Sequence, residues 1–375
     1  MSSAASTPAK LASTLGNNLS SLASKAVSST ASSSYTQASL MASVKRIIPA
    51  LSASKHKGQA GRIGIVGGSR DYTGAPFFAS MSSMRFGCDM SYTICTPEAG
   101  CVIKTYSPDL IVNRLLDPDA PWETVEKNVG ELFDRFHAVV VGPGLGRDDF
   151  MQKCAKLCIQ AAKQRQMYVV IDADGLWLLQ NEPEIIKGYS RAVLTPNVAE
   201  FGRLCKAMGV GMDGEGEEKG DADLLAKKLA LALDGPTIVE KGKVDRITNG
   251  KEVLYVTAEG GLKRSGGQGD ILAGCLGTFA GWAKIYELEH PDLPSSTSTN
   301  TETKEQQHHQ QQQQQEVGEE VLIPQDRLLL LAGYGAALTA RSCSRLAFAK
   351  KKRAMLADDL LPEVGVAYEE LWGDV

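Results

Sequence analysis

From residue 62 onward the chain alternates between short apolar runs and longer stretches of mixed polarity. Arg62-Ile63-Gly64-Ile65-Val66 is the first run, and it stops at Gly67-Gly68. Further runs at 90–95, 110–115, 138–141, 168–171, 192–194 and 237–240 predict strands buried on both faces. Most stop at a Gly, Asp, Thr-Pro or Lys-Gly turn. The intervening stretches predict helices: 76–86 behind Pro76, about 148–166, one after Gly175 and one opened by Asn197. Asn249-Gly250 between 245–247 and 253–256 signals a hairpin. The runs at 271–283 and 328–340 read as buried helices. Strands alternating with helices through short Gly-rich turns predict an α/β fold. Its central, mostly parallel sheet is flanked by helices as three layers, α/β/α. Ligands of such sheets bind beyond the carboxyl ends of the strands.

Other segments lack this periodicity. Residues 1–55 are rich in Ser, Ala and Thr, and the first acidic residue is Asp71. They read as a disordered tail or a targeting segment ahead of one catalytic domain over 56–375. Residues 209–223, acidic and Gly-rich, read as a surface loop. Residues 289–320 form a Ser/Thr- and Gln-rich insertion whose His308 and His309 belong to a compositional tract. The basic run 350–353 reads as a solvated helix end.

Composition narrows the function. Of 375 residues, 43% are hydrophobic and 22% charged, and the formal charge is -4. This is a globular chain with no basic stripe for nucleic acid. No apolar stretch is long enough to span a bilayer. The eight cysteines show no zinc spacing and read as buried, reduced thiols of a reducing compartment. A cytoplasmic location is expected; the acid-poor N-terminus keeps a mitochondrial one as the alternative.

The strongest chemical signal is Ser265-Gly266-Gly267-Gln268-Gly269-Asp270, running directly into an apolar helix. Consecutive glycines allow backbone N–H groups to converge, and the helix start adds partial positive charge. The arrangement suits a transferring phosphoryl group. Asp270 is then either a general base that takes a hydroxyl proton or a plain helix N-cap. There is no GxxxxGK[ST] loop, so the common phosphate cradle is absent from the sequence. Gly142-Pro143-Gly144-Leu145-Gly146 has GxGxG spacing and reads as a turn allowing close approach of backbone, with or without a ligand. Glu200, in Asn197-Val198-Ala199-Glu200, is placed either to hold a hydrated Mg²⁺ or to stabilise its own helix start. Lys241 is either a phosphate-binding charge or a solvated turn residue. Asp172 and Asp174 sit where they would orient loops or water around Mg²⁺.

Taken in order, these motifs closely resemble the ATP-dependent (S)-NAD(P)H-hydrate dehydratase family, eukaryotic type, of the ribokinase-like superfamily. The residues carrying the resemblance begin with Gly67-Gly68-Ser69, Tyr72-Thr73-Gly74-Ala75-Pro76, Val141 with the turn to Gly146, and Val170 through Asp172-Ala173-Asp174-Gly175 to Trp177. Leu194 through Asn197 to Phe201, Lys241-Gly242-Lys243-Val244-Asp245 and the Gly266–Asp270 loop complete the set. The resemblance implies that ATP restores NADH or NADPH from its S-epimer hydrate, releasing ADP and phosphate, with Mg²⁺ as cofactor. It implies hydrate contacts at Gly144, at Asn197, Val198, Ala199, Glu200, Phe201, Gly202 and Arg203, and at Asp270, with Ala75 beside them. For ATP it implies Lys241, Gly242, Lys243, Val244 and Asp245, and the run Gly260, Gly261, Leu262, Lys263, Arg264, Ser265, Gly266, Gly267, Gln268 and Gly269. A separate NAD(P)H-hydrate epimerase is the implied pathway partner, without contact, and homo-oligomer formation is compatible with the family. Rival readings are a kinase of the same fold, acting on a vitamin precursor or sugar, and a nucleotide sensor without catalysis.

Overall fold

The computed structural model of the protein describes residues 36–211, 222–294 and 322–373. In chain order the described elements are α1 (Gln37–Lys45), β1 (Arg62–Val66), α2 (Gly74–Phe86), β2 (Met90–Ile94), α3 (Pro97–Ile103), β3 (Ile111–Asn113) and α4 (Trp122–Phe133). Next come β4 (Ala138–Val141), α5 (Asp149–Gln164), β5 (Tyr168–Ile171), α6 (Asp174–Asn181), β6 (Ala192–Leu194), α7 (Val198–Ala207) and α8 (Ala222–Ala232). The chain continues through β7 (Thr237–Glu240), β8 (Asp245–Thr248), β9 (Val253–Val256), α9 (Gln268–Glu289), α10 (Gln325–Lys351) and α11 (Leu361–Trp372).

The strands form one sheet in the order β3-β2-β1-β4-β5-β6-β7-β8-β9. The seven from β3 to β7 are mutually parallel; β8 and β9 add an antiparallel hairpin at one edge. Side chains on a strand alternate between faces, so each strand feeds two cores. In β4, Ala138 and Val140 join the core under α2, α9, α10 and α11. Val139 and Val141 join the core under α4 to α8. Three layers follow from this two-sided burial.

Helix starts follow local chemistry. The Asp148 carboxylate accepts the Met151 N–H (3.0 Å) and starts α5. Thr96 caps α3, with Pro97 as its first residue. Helices α9 and α10 are longer than the apolar runs that signalled them, because their polar ends carry good helix formers.

The expected tail through residue 55 needs correction. Residues 37–45 are helical, and Leu40, Val44, Ile47 and Ile48 are buried in the core shared with α9 and α10. The ordered domain therefore includes at least these residues, not only those from 56. The signal is weak in sequence because Ser and Ala interrupt it. Helices α3, α4 and α11 also add to the sequence reading. Asp223, expected in a loop, lies in α8 and pairs with Arg246. The predicted insertion falls mostly outside the described residues, as do His308 and His309; α9 runs on through Glu289. The basic run ends α10, with Lys350 paired to Glu363 and Lys351 to Asp359. Seven cysteines are buried and Cys101 is exposed; all are free thiols. Among the described residues no helix is long and apolar enough to cross a membrane.

Ile47 is 2% exposed and Leu51 is 89% exposed. Ile47→Ala is expected to cost about 2–5 kcal/mol of stability, from lost burial and the cavity left behind. Leu51→Ala should leave the urea midpoint unchanged. Equal midpoints for the two variants would show that the 37–48 segment does not pack as described.

Candidate active site

The turns leaving β1, β4, β5, β6 and β7 lie side by side, because these strands are neighbours and point the same way. Their last residues are in register: Val66 pairs with Val141, Val141 with Ile171, and Ile171 with Leu194. The glycines in these turns permit the closeness. A Cβ on Gly142 (φ 130°) would sit 1.8 Å from the Asp172 carbonyl oxygen, and one on Gly67 would sit 1.9 Å from that of Pro143. Gly144 is wedged against Tyr72 and Pro76, and its carbonyl accepts the Gly68 N–H (3.0 Å) and the Ser69 hydroxyl (3.1 Å). Asp174 accepts the Gly146 N–H (3.0 Å) and Arg147 Nε (2.8 Å), tying the GxGxG turn to α6.

At the ends of β5 and β7, Lys241 Nζ donates to Asp172 Oδ1 at 2.8 Å. Asp172 is only 2% exposed. Burial pulls the Lys241 pKa down, but Asp172, Glu200 and Asp270 outweigh it and hold the pKa above its ordinary value. Lys241 is therefore a charged residue of the site and not a solvated turn lysine. A Cβ on Gly269 would lie 3.7 Å from Lys241 Nζ and 3.8 Å from Asp172 Oδ2, so the Gly-rich loop rests on this pair.

The N-cap of α9 is Gly267 in the left-handed region (φ 89°), and no side chain caps the helix. Asp270 lies in the first turn, which disposes of the N-cap reading. The first backbone N–H groups of a helix have no partner within it, which leaves them available to an anion. Burial is the main force raising the Asp270 pKa to about 7; Asp172 adds to it and Lys241 opposes. A carboxyl that titrates near neutrality is suited to general-base work.

Glu200 takes part in a capping box. Asn197 Oδ1 accepts from Ala199 N and Glu200 N (3.0 Å each), while Glu200 Oε2 accepts Asn197 N at 2.8 Å. Burial raises the Glu200 pKa, with Lys241 acting against it. Both sequence alternatives stay chemically open, since the cap engages one carboxylate oxygen.

A cleft of about 450 Å³ brings together Asn197, Lys241, Gly242, Asp245, Gly260, Arg264, Ser265, Gln268 and Gly269. Its other wall, which sequence reasoning missed, comprises Leu272, Ala337, Ala340, Arg341 and Ser344 from α9 and α10. No motif marks them, since they sit inside long helices otherwise devoted to packing. Gly261 must be glycine, because a Cβ there would meet the Ser344 carbonyl oxygen at 2.5 Å. Its N–H donates to Ser344 Oγ (3.1 Å). Gln268 Nε2 holds the loop by donating to the Lys263 carbonyl (3.0 Å) and to Ser265 Oγ (3.1 Å).

The implied contact residues differ in exposure. The Phe201 side chain, 6% exposed, packs in the core under α4 to α8. Gly202 and Arg203 lie on the exposed side of α7. Leu262 is 83% exposed, and Val198 is exposed too. Gly144 is buried and outside the 450 Å³ cleft. It adjoins Tyr72, which lines a separate 600 Å³ cleft with Ser69 and Gly146. Asp270 follows Gly269 at the edge of the first cleft. Among the described residues, no group of three or more His, Cys, Asp or Glu side chains is arranged as a metal cage.

The parallel sheet with its edge hairpin, and an Asp in a Gly-rich helix start beside a Lys–Asp pair whose carboxylate is buried, are features of a ribokinase-like fold. Solved structures share the fold. A ribokinase-like superfamily protein from Enterococcus faecalis matches with a TM-score of 0.62 at 18% identity, over 88% of this chain and 94% of its own. An ADP/ATP-dependent NAD(P)H-hydrate dehydratase from Bacillus subtilis, co-crystallized with ATP/Mg²⁺, matches with a TM-score of 0.58 at 19% identity, over 88% and 97%. The family model described as NAD(P)H-hydrate dehydratase matches residues 63–318. An ATP-dependent (S)-NAD(P)H-hydrate dehydratase from Mycosarcoma maydis is 71% identical over all of this chain and 99% of its own length. One from Bos taurus is 43% identical over 89% of each chain. The chain belongs to the NAD(P)H-hydrate dehydratase family.

Folding raises the proton affinity of Asp270, so between pH about 4 and about 7 the folded state holds a proton that the unfolded chain has released. This contribution to stability is present in full below the unfolded value and is lost as pH rises through about 7. Asp270→Asn is therefore expected to raise the melting temperature at pH 8, with the gain shrinking towards pH 4. A gain that grows on acidification would contradict the described surroundings of Asp270.

Proposed function

We propose that the chain uses ATP to dehydrate the S epimer of hydrated NADH or NADPH, with Asp270 as general base. The observation that carries this is Asp270 itself: a carboxyl poised near neutrality in the first turn of an uncapped helix, beside Lys241.

Asp270 takes the proton of the C6 hydroxyl as its oxygen attacks the γ-phosphorus of ATP. The bond to the β-phosphate oxygen breaks and ADP leaves. The free N–H groups of the Gly-rich loop and the Lys241 ammonium face the charge that gathers on the moving phosphoryl group. The ring nitrogen then supplies electrons as the C6–O bond breaks and phosphate departs, and loss of a ring proton restores the double bond. The balance is hydrate plus ATP to dihydronicotinamide, ADP, phosphate and a proton.

ATP occupies the 450 Å³ cleft, where Lys241 to Asp245 and the 260–269 run converge. The hydrate lies towards Gly144 and the start of α7. Mg²⁺ suits this donor set as an ion held mainly by phosphates and water, since it retains its hydration and seldom uses an all-protein cage. Glu200 and Asp172 are the carboxylates at hand; bound there, Mg²⁺ neutralises phosphate charge. A separate epimerase would supply the S form from the R form. The buried thiols accord with a cytoplasmic enzyme, and the acid-poor N-terminus keeps mitochondria as the alternative.

Incubation with ATP, Mg²⁺ and the S-epimer hydrate should restore dihydronicotinamide absorbance, with one phosphate released per turnover. Accumulation of a stable phosphorylated product instead would identify a kinase. Asp270→Asn should lower kcat/KM by about 10²–10⁴-fold. The wild-type value should fall as pH drops below about 7, where the base is protonated. A pH-independent rate, or an active Asn variant, would remove Asp270 from that role. Glu200→Gln keeps an acceptor for Asn197 N but loses the charge. It should raise the Mg²⁺ needed for half-maximal rate by roughly tenfold; no change would exclude Glu200 from the ion's surroundings.

A further inference from the structure

Arg341 lies on α10, far in sequence from every motif, yet its guanidinium makes more polar contacts than any of the implied ATP-site side chains. Nε donates to Asp245 Oδ2 (2.6 Å) and Nη2 to Asp245 Oδ1 (2.8 Å), a two-point fork. Nη2 also donates to the carbonyl oxygens of Gly242 (2.8 Å) and Lys243 (3.1 Å). Nη1 donates to the Ala258 carbonyl (2.9 Å), two residues before the 260–269 run. Asp245, 5% exposed, passes the constraint on, since its Oδ1 accepts the Gly242 N–H at 2.9 Å. One turn along α10, Ser344 anchors Gly261. A single planar cation thus joins the turn after β7 to the segment leading into the Gly-rich loop, and α10 holds both.

We propose that Arg341 is a positioning residue for ATP: its fork on Asp245 sets the 241–245 turn against the 258–269 segment, so that the cleft is pre-formed for the nucleotide. Its hydrogen bonds go to Asp245, Gly242, Lys243 and Ala258, and none of them reaches Asp270. Paired geometry of this kind belongs to arginine; a lysine supplies the charge but not the fork. The carboxylate is buried, so the guanidinium also prevents an unpaired charge from loosening the turn. The proposal rests on ATP occupying this cleft.

The test compares wild type with Arg341→Lys, Arg341→Gln and the double variant Arg341→Gln/Asp245→Asn, which is neutral and keeps an acceptor for Gly242 N. Steady-state turnover of the S-epimer hydrate is followed with ATP and hydrate varied separately, beside thermal melts. Arg341→Gln should raise KM for ATP about tenfold or more, the loss expected for charged hydrogen bonds. The kcat at saturating ATP should stay within about threefold, and KM for the hydrate should not change. Arg341→Lys should recover part of the ATP affinity, and the double variant should be no worse than Arg341→Gln alone. The proposal is overturned if folded variants keep a normal KM for ATP, if both KM values rise together, or if kcat alone falls. It is also overturned if neither single variant nor the double variant folds, which would make the residue purely structural. Absence of hydrate turnover in wild type would refute the proposed function instead. Binding of ATP alone, compared across the same variants by calorimetry, would then still decide the role of Arg341.

Discussion

A lysine ammonium that folding partly withdraws from water is held by a partner, and at the strand ends of this protein that partner is Asp172. The pair joins the ends of β5 and β7, strands separated by β6, and so ties three neighbouring strand ends together. Each charge would be costly alone; together they hold a positive point below the loop that begins α9. The same pair places Asp270 between opposing influences. Burial, and after it Asp172, favour its protonated form, and Lys241 favours the ionised one. A base with a pKa near 7 results mainly from burial, trimmed by these two charges.

Backbone crowding supplies the second constraint. Gly142, Gly67 and Gly261 each stand where a methyl group would overlap a carbonyl oxygen or its neighbours. These contacts bring the turns close enough to act as one surface. In the 450 Å³ cleft, Ala337, Ala340 and Leu272 give a small or apolar helix wall, while Gly242, Gly260 and Gly269 come from the turns.

The parallel sheet was legible because its strands are uninterrupted apolar runs ended by turn residues, and the two-sided burial of Ala138 to Val141 bears out that pattern. The Gly-rich loop and Lys241 were legible for the same reason: unusual residues stood at strand or helix ends. Arg341 and Ser344 were not, since nothing in one sequence distinguishes a cleft-lining arginine from a solvated one on a long helix. Within one implied segment the side chains divide: Asn197 lines the cleft, while helical geometry turns the Phe201 ring into the core. Helix α1 was missed because its buried residues, Leu40 and Val44, and Ile47 and Ile48 just after it, are spaced among Ser, Ala and basic residues and are recognised only once α10 is there to receive them.

That docking sets a limit on how far the domain can be shortened. A Cβ on Gly335 would lie 3.0 Å from Val44 Cγ1, so the two helices are in close contact beneath Phe279. Removing residues 37–48 would strip apolar cover from α10, so this segment belongs to the folded unit however little its sequence advertises it.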